Sequence, residues 1–223
     1  MISLRNALAI INKDIVAELH SKEMISAMLV FAALQMLIFS FALDLPGGIA
    51  KAAAPGVLWA TVIFAGTLGL SRSLAREQEN RCIDGLLLAP MGRSVVFVGK
   101  AVGNWLFMGL VQVMLLPLFA VLFDAPVLKP SVLLVLALGT LGYASVGTLI
   151  AAIAVNTRAR EVMLPVLLLP LAIPVLISAV QATGGLMGGG SLTDIGGWVR
   201  VMVVYNLVIT AVSLVTFGYV LEE

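Results

Sequence analysis

Six stretches of mostly apolar residues divide this chain of 223: 24–43, 54–74, 101–123, 131–155, 162–181 and 200–221. A helix rises about 1.5 Å per residue and a bilayer's hydrocarbon core is about 30 Å thick, so each stretch is long enough to cross it. The stretches do not alternate between polar and apolar residues, which argues against barrel strands. Only 11% of the residues are charged and 61% are hydrophobic, whereas about a quarter of a soluble domain is charged. The expected fold class is all-α: one polytopic transmembrane domain over 1–223 with six spanning helices. The spans are separated by turn signals such as Asp44-Leu45-Pro46-Gly47-Gly48, Asp124-Ala125-Pro126 and the Gly-rich run from Gly184 to Gly190.

Orientation follows from the basic residues. The N-terminal segment, the second loop and the fourth loop together hold ten Lys and Arg, among them Arg72, Arg76, Arg81, Arg93, Arg158 and Arg160. The other side holds three: Lys51, Lys129 and Arg200. Both termini are therefore expected in the cytoplasm, as an even number of spans requires. Within the first segment, Leu4, Leu8, Ile11, Ile15 and Leu19 recur at helical spacing, while Arg5, Asn12, Lys13 and Glu18 fall largely elsewhere. This pattern predicts an amphipathic helix over 3–21 lying in the membrane interface against lipid, without a cleavable signal. His20, at its end, reads as a surface residue.

No Asp, Glu, Lys, Arg or His sits well inside any span. Gln35, Asn104, Gln112 and Asn206 are their most polar groups. Proton- and ion-coupled carriers bind and release charge near the midplane, so this weighs against that class. No paired carboxylates, Ser/His/Asp set or metal-ligand cluster is apparent, so neither catalytic nor metal-binding residues are assigned. The ten methionines read as packing residues. A net charge of +1 gives no signal for nucleic acid. Pro165, Pro170 and Pro174 are expected to kink or break the fifth span. They serve either as a hinge or gate beside a substrate path or as a static bend. Gly139, Gly142, Ala144, Ser145 and Gly147 in the fourth span suit close helix packing.

Charge is densest between the second and third spans, in "SRSLAREQENRCIDGLLLAPMGRSVVFVGK". No nucleotide-binding loop GxxxxGK[ST] exists anywhere in the chain. Energy from ATP can therefore enter only through a separate subunit, which needs a docking element on the cytoplasmic face. A short coupling helix within 76–90, charged at its start and leucine-rich at its end, suits that task. Leu86, Leu87 and Leu88 would fill a groove in the ATPase, with Pro90 closing the run, while Glu77, Glu79 and Asp84 would set register at the rim.

This loop resembles that of ABC-2-type membrane subunits, and more narrowly that of the CcmB family, the haem exporter protein B subunits of the cytochrome c maturation transporter. The resemblance also rests on the Lys13-Asp14 pair, on Lys22-Glu23 before the first span, on Ala89-Pro90 followed by Arg93 and then Gly99-Lys100, and on "LPVLLLPLAIPVLI" in the fifth span. It covers nearly the whole chain. One departure is Arg81-Cys82-Ile83-Asp84, which stands where a glycine, a small residue, leucine and glutamate are usual. Cys82 there reads as an ordinary small residue. The resemblance implies an ABC-2-type fold in a bacterial inner membrane and a non-catalytic subunit, with ATP hydrolysed by an ATP-binding partner, CcmA. It further implies two copies in the complex, association with CcmC and CcmD, and service to the haem chaperone CcmE. Haem is then either the substrate exported or the cargo of the chaperone that ATP hydrolysis releases. The competing expectations are an ABC-2 permease for another lipid, drug or glycan, a stand-alone channel or ion-coupled carrier, and a passive anchor.

Overall fold

The computed structural model describes residues 4–43, 49–79, 92–154 and 160–220. Among these residues the chain forms seven helices and no strand: α1 (Leu4–Ser21), α2 (Glu23–Ala42), α3 (Ile49–Glu79), α4 (Arg93–Phe123), α5 (Pro130–Ala154), α6 (Arg160–Met187) and α7 (Gly196–Val220). Helices α2 to α7 are each long and apolar enough to cross a membrane. The six spans read from the sequence are thus present.

The bundle is built around α3 and α5. Of the spanning windows, 72% of α5 and 61% of α3 lie inside, against 17% of α7 and 22% of α2. The exposed faces of α2 and α7 carry Val30, Leu34, Ile38, Val204, Leu207 and Val208, which suits contact with lipid. The small residues of α5 explain its central place. A Cβ on Gly139 would lie 2.3 Å from the Trp59 ring, and one on Gly147 would lie 2.4 Å from Leu70. Two large α3 side chains are therefore seated directly on the α5 backbone. The small residues do act in close approach, and within one chain.

Polar groups inside the bundle join helices. Trp59 Nε1 donates to Thr183 Oγ1 at 3.0 Å, Asn104 Nδ2 to Thr148 Oγ1 at 3.0 Å, and Gln112 Nε2 to Thr140 Oγ1 at 2.6 Å. The Tyr143 hydroxyl donates to the Ile63 carbonyl at 3.0 Å. In hydrocarbon such groups find partners only within the protein, so each bond ties a helix pair. Gln35 Oε1 and Asn206 Oδ1 are buried without a hydrogen-bond partner, although Asn206 Nδ2 donates to the Leu138 carbonyl at 3.0 Å.

Two expectations need correction. First, of the kink or break expected in the fifth span, the break is absent: α6 is one helix through Pro165, Pro170 and Pro174. Pro170 and Pro174 are exposed and Pro165 is half-buried, whereas Leu164, Leu168, Ala172, Val175 and Ala179 face inward. Proline lacks the helical N–H donor, so each proline leaves the carbonyl four residues earlier without its helical partner. The Tyr205 hydroxyl of α7 donates at 2.9 Å to the Leu171 carbonyl, one residue beyond the Pro170 carbonyl that Pro174 leaves without its helical partner. Second, the third span begins earlier than the apolar run at 101. Helix α4 starts at Arg93, so Lys100 lies inside it and is buried. On α1, Leu8 and Leu19 of the apolar stripe are more than 60% exposed, which suits contact with lipid, and Ala7, Ile10 and Glu18 meet the bundle.

Candidate functional site at the α1 end of the bundle

Ala7, Ile10, Asp14 and Glu18 recur at spacings of three, four and four, which places them on one side of α1. That side lies on the first turns of α4. Gly99 permits the close crossing, since a Cβ there would stand 3.0 Å from Ile10 Cβ and 3.3 Å from the Ala7 carbonyl oxygen. One residue on, Lys100 Nζ donates to Asp14 Oδ2 at 2.7 Å. Their side chains are only 8% and 16% exposed. Lys13 Nζ approaches the other Asp14 oxygen at 3.4 Å from the open side.

One turn further along α1, Glu18 is 2% exposed. Its Oε1 accepts the backbone N–H of Ile25, in the first turn of α2, at 2.9 Å. The residue at the N-cap of α2 is Lys22, in a left-handed conformation (φ 56°) without a side-chain cap. Glu18 therefore supplies the oxygen that an N-cap side chain normally provides. A carboxylate there also meets the positive end of the helix dipole. The Lys22 N–H in turn donates to the Glu18 carbonyl at 2.7 Å, closing the α1–α2 corner.

Below this corner lies a small second core made of Ile10, Val96, Phe97, Ala101, Leu149, Ala152 and Phe217, from four helices. The Phe97 and Phe217 rings meet at 5.4 Å. The first turns of α4 thus hold α1 on one side and the ends of α5 and α7 on the other. Leu70 of α3 sits on Gly147 at about the same level, so α3 also leaves the bundle at this end. The segment joining α3 to α4 begins and ends here.

That segment contains the residues expected to dock an ATPase. Glu77 and Glu79 fall in the last turn of α3. Asp84, Leu86, Leu87, Leu88 and Pro90, and with them most of the coupling helix expected over 76–90, lie outside the described residues. The candidate hinge prolines lie on α6 and line neither of two cavities in the bundle. One is a water-sized void of about 20 Å³ among Met28, Met36, Met108, Thr61 and Gln112. The other is an apolar groove of about 450 Å³ between α4 and α5, lined by Trp105, Gly109, Gln112, Leu133 and Ala137 among others. Trp105 Nε1 donates to the Ala137 carbonyl at 3.0 Å beside it.

Sequence reasoning passed over Asp14, Glu18 and Lys100 as site residues. Two of the four inward positions of α1 are acidic, so its packing face did not register as apolar. The only available signal was indirect: Lys13-Asp14 and Gly99-Lys100 had already stood out as motif elements. Among the described residues, no group of three or more His, Cys, Asp or Glu is placed to hold a metal.

Residues 5–221 match the family described as CcmB protein. The chain is 32% identical over 169 residues to heme exporter protein B of Pseudomonas aeruginosa, covering 74% of this chain and 76% of that protein. It is 34% identical over 156 residues to heme exporter protein B of Rhodobacter capsulatus, covering 69% and 71%. Against the protein of the same name from Paracoccus denitrificans it is 31% identical over 155 residues, covering 69% and 71%. With a family match over nearly its whole length and six helices suited to cross a bilayer, the chain is a multi-pass membrane protein and belongs to the CcmB family.

Proposed function

We propose that this chain is the non-catalytic membrane subunit of a haem-exporting ABC transporter that serves c-type cytochrome maturation. In this proposal it sits in a bacterial inner membrane with both termini in the cytoplasm. A separate ATP-binding subunit, CcmA, docks on segment 76–90, two copies of each assemble, and CcmC and CcmD associate with them. The family match over residues 5–221 carries this reading. The fold supports it: α3 and α4 extend over 31 residues each and frame the charged, leucine-rich segment at the same end as α1. A helix pair of that length projects a docking element beyond the hydrocarbon.

In this proposal ATP hydrolysis drives either export of haem or release of the haem-loaded chaperone CcmE. The chain's one histidine, His20, lies in α1 outside the spans, which favours the second, since histidine is a common ligand of haem iron.

Purification of the tagged chain from membranes tests the docking. An ATP-binding subunit is expected to co-purify, and Leu87→Glu is expected to release it while the chain still inserts. Burying one leucine is worth about 1.5–3 kcal/mol, so losing one weakens docking by roughly tenfold or more, and a carboxylate forced into the same groove adds a desolvation cost. Cytochrome c maturation then stops. Wild-type recovery of the ATPase with the Leu87→Glu chain would remove segment 76–90 as the docking site. Normal cytochrome c maturation in cells lacking the chain would remove the haem assignment.

A further inference from the structure

We infer that Asp14, Lys100 and Glu18 are positioning residues that make α1 and the start of α4 one rigid lever, through which movement of the docking segment reaches α2. The inference rests on the proposed role of segment 76–90. That segment runs directly into α4 at Arg93, and Lys100 stands two turns further on. Lys100 joins Asp14 of α1 at 2.7 Å, and one turn along α1 Glu18 joins the first turn of α2 at 2.9 Å. Two charge-assisted bonds, joined by helix backbone, therefore link the start of α4 through α1 to the head of the first span.

The apolar contact of α1 with α4 is made by small surfaces: Ala7 and Ile10 are buried against Gly99, which has no side chain, while Ile15 is partly buried against the main core. A glycine crossing lets one backbone slide on another. The Asp14–Lys100 pair is directional and is mostly shielded from water and salt, so it fixes the register that packing leaves free. A wholly apolar contact would hold α1 to the bundle equally well. The burial of two acids and a lysine at this one crossing is explained by positioning. Among the described residues Lys13 also faces this pair, at 3.4 Å from Asp14.

The crossing supplies its own test, because a covalent bond can replace the ion pair. A Cβ on Gly99 lies 3.0 Å from Ile10 Cβ. Bridged cysteines stand about 3.5–4.5 Å apart at Cβ, so a disulfide needs a relaxation of a few tenths of an ångström. Ile10→Cys/Gly99→Cys is placed in a Cys82→Ser background and purified with its ATPase in lipid nanodiscs. The readout is ATPase turnover stimulated by the membrane subunit, alongside the amount of ATPase retained. Asp14→Asn and Lys100→Met are expected to retain the ATPase within twofold and to lose stimulation by tenfold or more. Oxidation of the Ile10→Cys/Gly99→Cys pair restores stimulation of the Asp14→Asn chain to within about threefold of the background, and reduction removes it again. A purely structural ion pair would not give this redox-reversible rescue at constant ATPase binding.

If the single variants fail to accumulate, the swapped pair Asp14→Lys/Lys100→Asp is used. Recovery of both accumulation and stimulation supports the lever; accumulation without stimulation overturns it. The lever is also overturned if oxidation stops stimulation in the chain with Asp14 intact, since α1 must then slide on α4. Wild-type stimulation by Asp14→Asn, or absence of rescue, overturns it as well. A wild-type complex that retains no ATPase overturns the docking reading together with the lever, and is distinguished from failure of the lever alone by the missing band.

Discussion

Replacing Gly139 by alanine adds one methyl group at the crossing of α3 and α5, and the structure sets its consequence. The new Cβ would lie 2.3 Å from Trp59 Cη2 and 3.0 Å from two neighbouring ring carbons. Carbon atoms pack best at about 3.5–4.0 Å, so the indole must retreat by more than 1 Å. It has nowhere to go: Trp59 is fully buried, and its Nε1 is bonded to Thr183, which is also fully buried. Overpacking of this kind costs about 1–3 kcal/mol. If the indole moves, its N–H and the Thr183 hydroxyl are left unpaired in the interior, for a further ~1–3 kcal/mol. Against this, alanine gains about 1 kcal/mol over glycine as a helix former. The net expectation is a loss of about 1–5 kcal/mol. Unfolding of the purified chain in mixed micelles, followed by thermal midpoint and denaturant midpoint, measures it. Gly56→Ala is the control: its Cβ meets nothing within 4 Å, so it is expected to be neutral or to stabilise by up to about 1 kcal/mol. Trp59→Phe in the Gly139→Ala chain should recover part of the loss by removing the ring atoms that collide. Equal midpoints for Gly139→Ala and Gly56→Ala would refute the close seating of Trp59 on α5.

Further outcomes are expected at other sites. Tyr205→Phe removes the hydroxyl that serves the Leu171 carbonyl beside the proline defect, and should destabilise by about 0.5–1.5 kcal/mol in the same unfolding assay, with faster amide exchange around 171–175. Thr148→Val should cost about 1–3 kcal/mol by stranding the buried Asn104 amide, and adding Asn104→Leu should return most of it; a loss that merely adds would show that the two groups are uncoupled. Asp124 is held below its ordinary value by the hydrogen bond from Lys51 and then by that residue's charge. Because the folded value is depressed, this pair contributes above the unfolded carboxylate range and its contribution disappears as pH falls through the folded value. The stability difference between wild type and Lys51→Met should therefore be small at neutral pH, reduced by salt, and absent in strong acid, as read from midpoints across a pH series.

Hydropathy alone placed the six spans because each apolar run is long and the connecting residues Asp124, Pro126 and Gly188 to Gly190 are strong breakers, although Gly184 and Gly185 stay inside α6. The start of α4 was misjudged by eight residues for a physical reason: Lys100 ends the apolar run, and only a partner 86 residues away makes its burial tolerable. No local pattern reports such a partner. The same blindness assigned Glu18 to a solvated face of α1, when its carboxylate caps α2. The three prolines of α6 signal lost helical bonds, yet the helix runs through them; that they lie on its exposed or half-buried side while Leu168, Ala172 and Val175 pack inward is set by the bundle and not by the local sequence. The glycines of α5 announced close packing, yet not that Trp59 and Leu70 would occupy the space.

The bonds at the α1 corner also have an order in time. Glu18 and Ile25 are seven residues apart, so the cap on the first span can close as soon as that short stretch has left the ribosome. Asp14 must wait for Lys100, 86 residues later. At synthesis rates of about 5–20 residues per second, that delay is roughly 4–17 s. During it the Asp14 carboxylate has water or Lys13 for company, and α1 is fixed to α2 but not yet to α4. A newborn chain is thus a capped first span with an unfastened strap, and arrival of the third span completes the corner. Chains halted before Lys100 should carry α1 open to protease, and chains halted far enough beyond it for the third span to have left the ribosome should not.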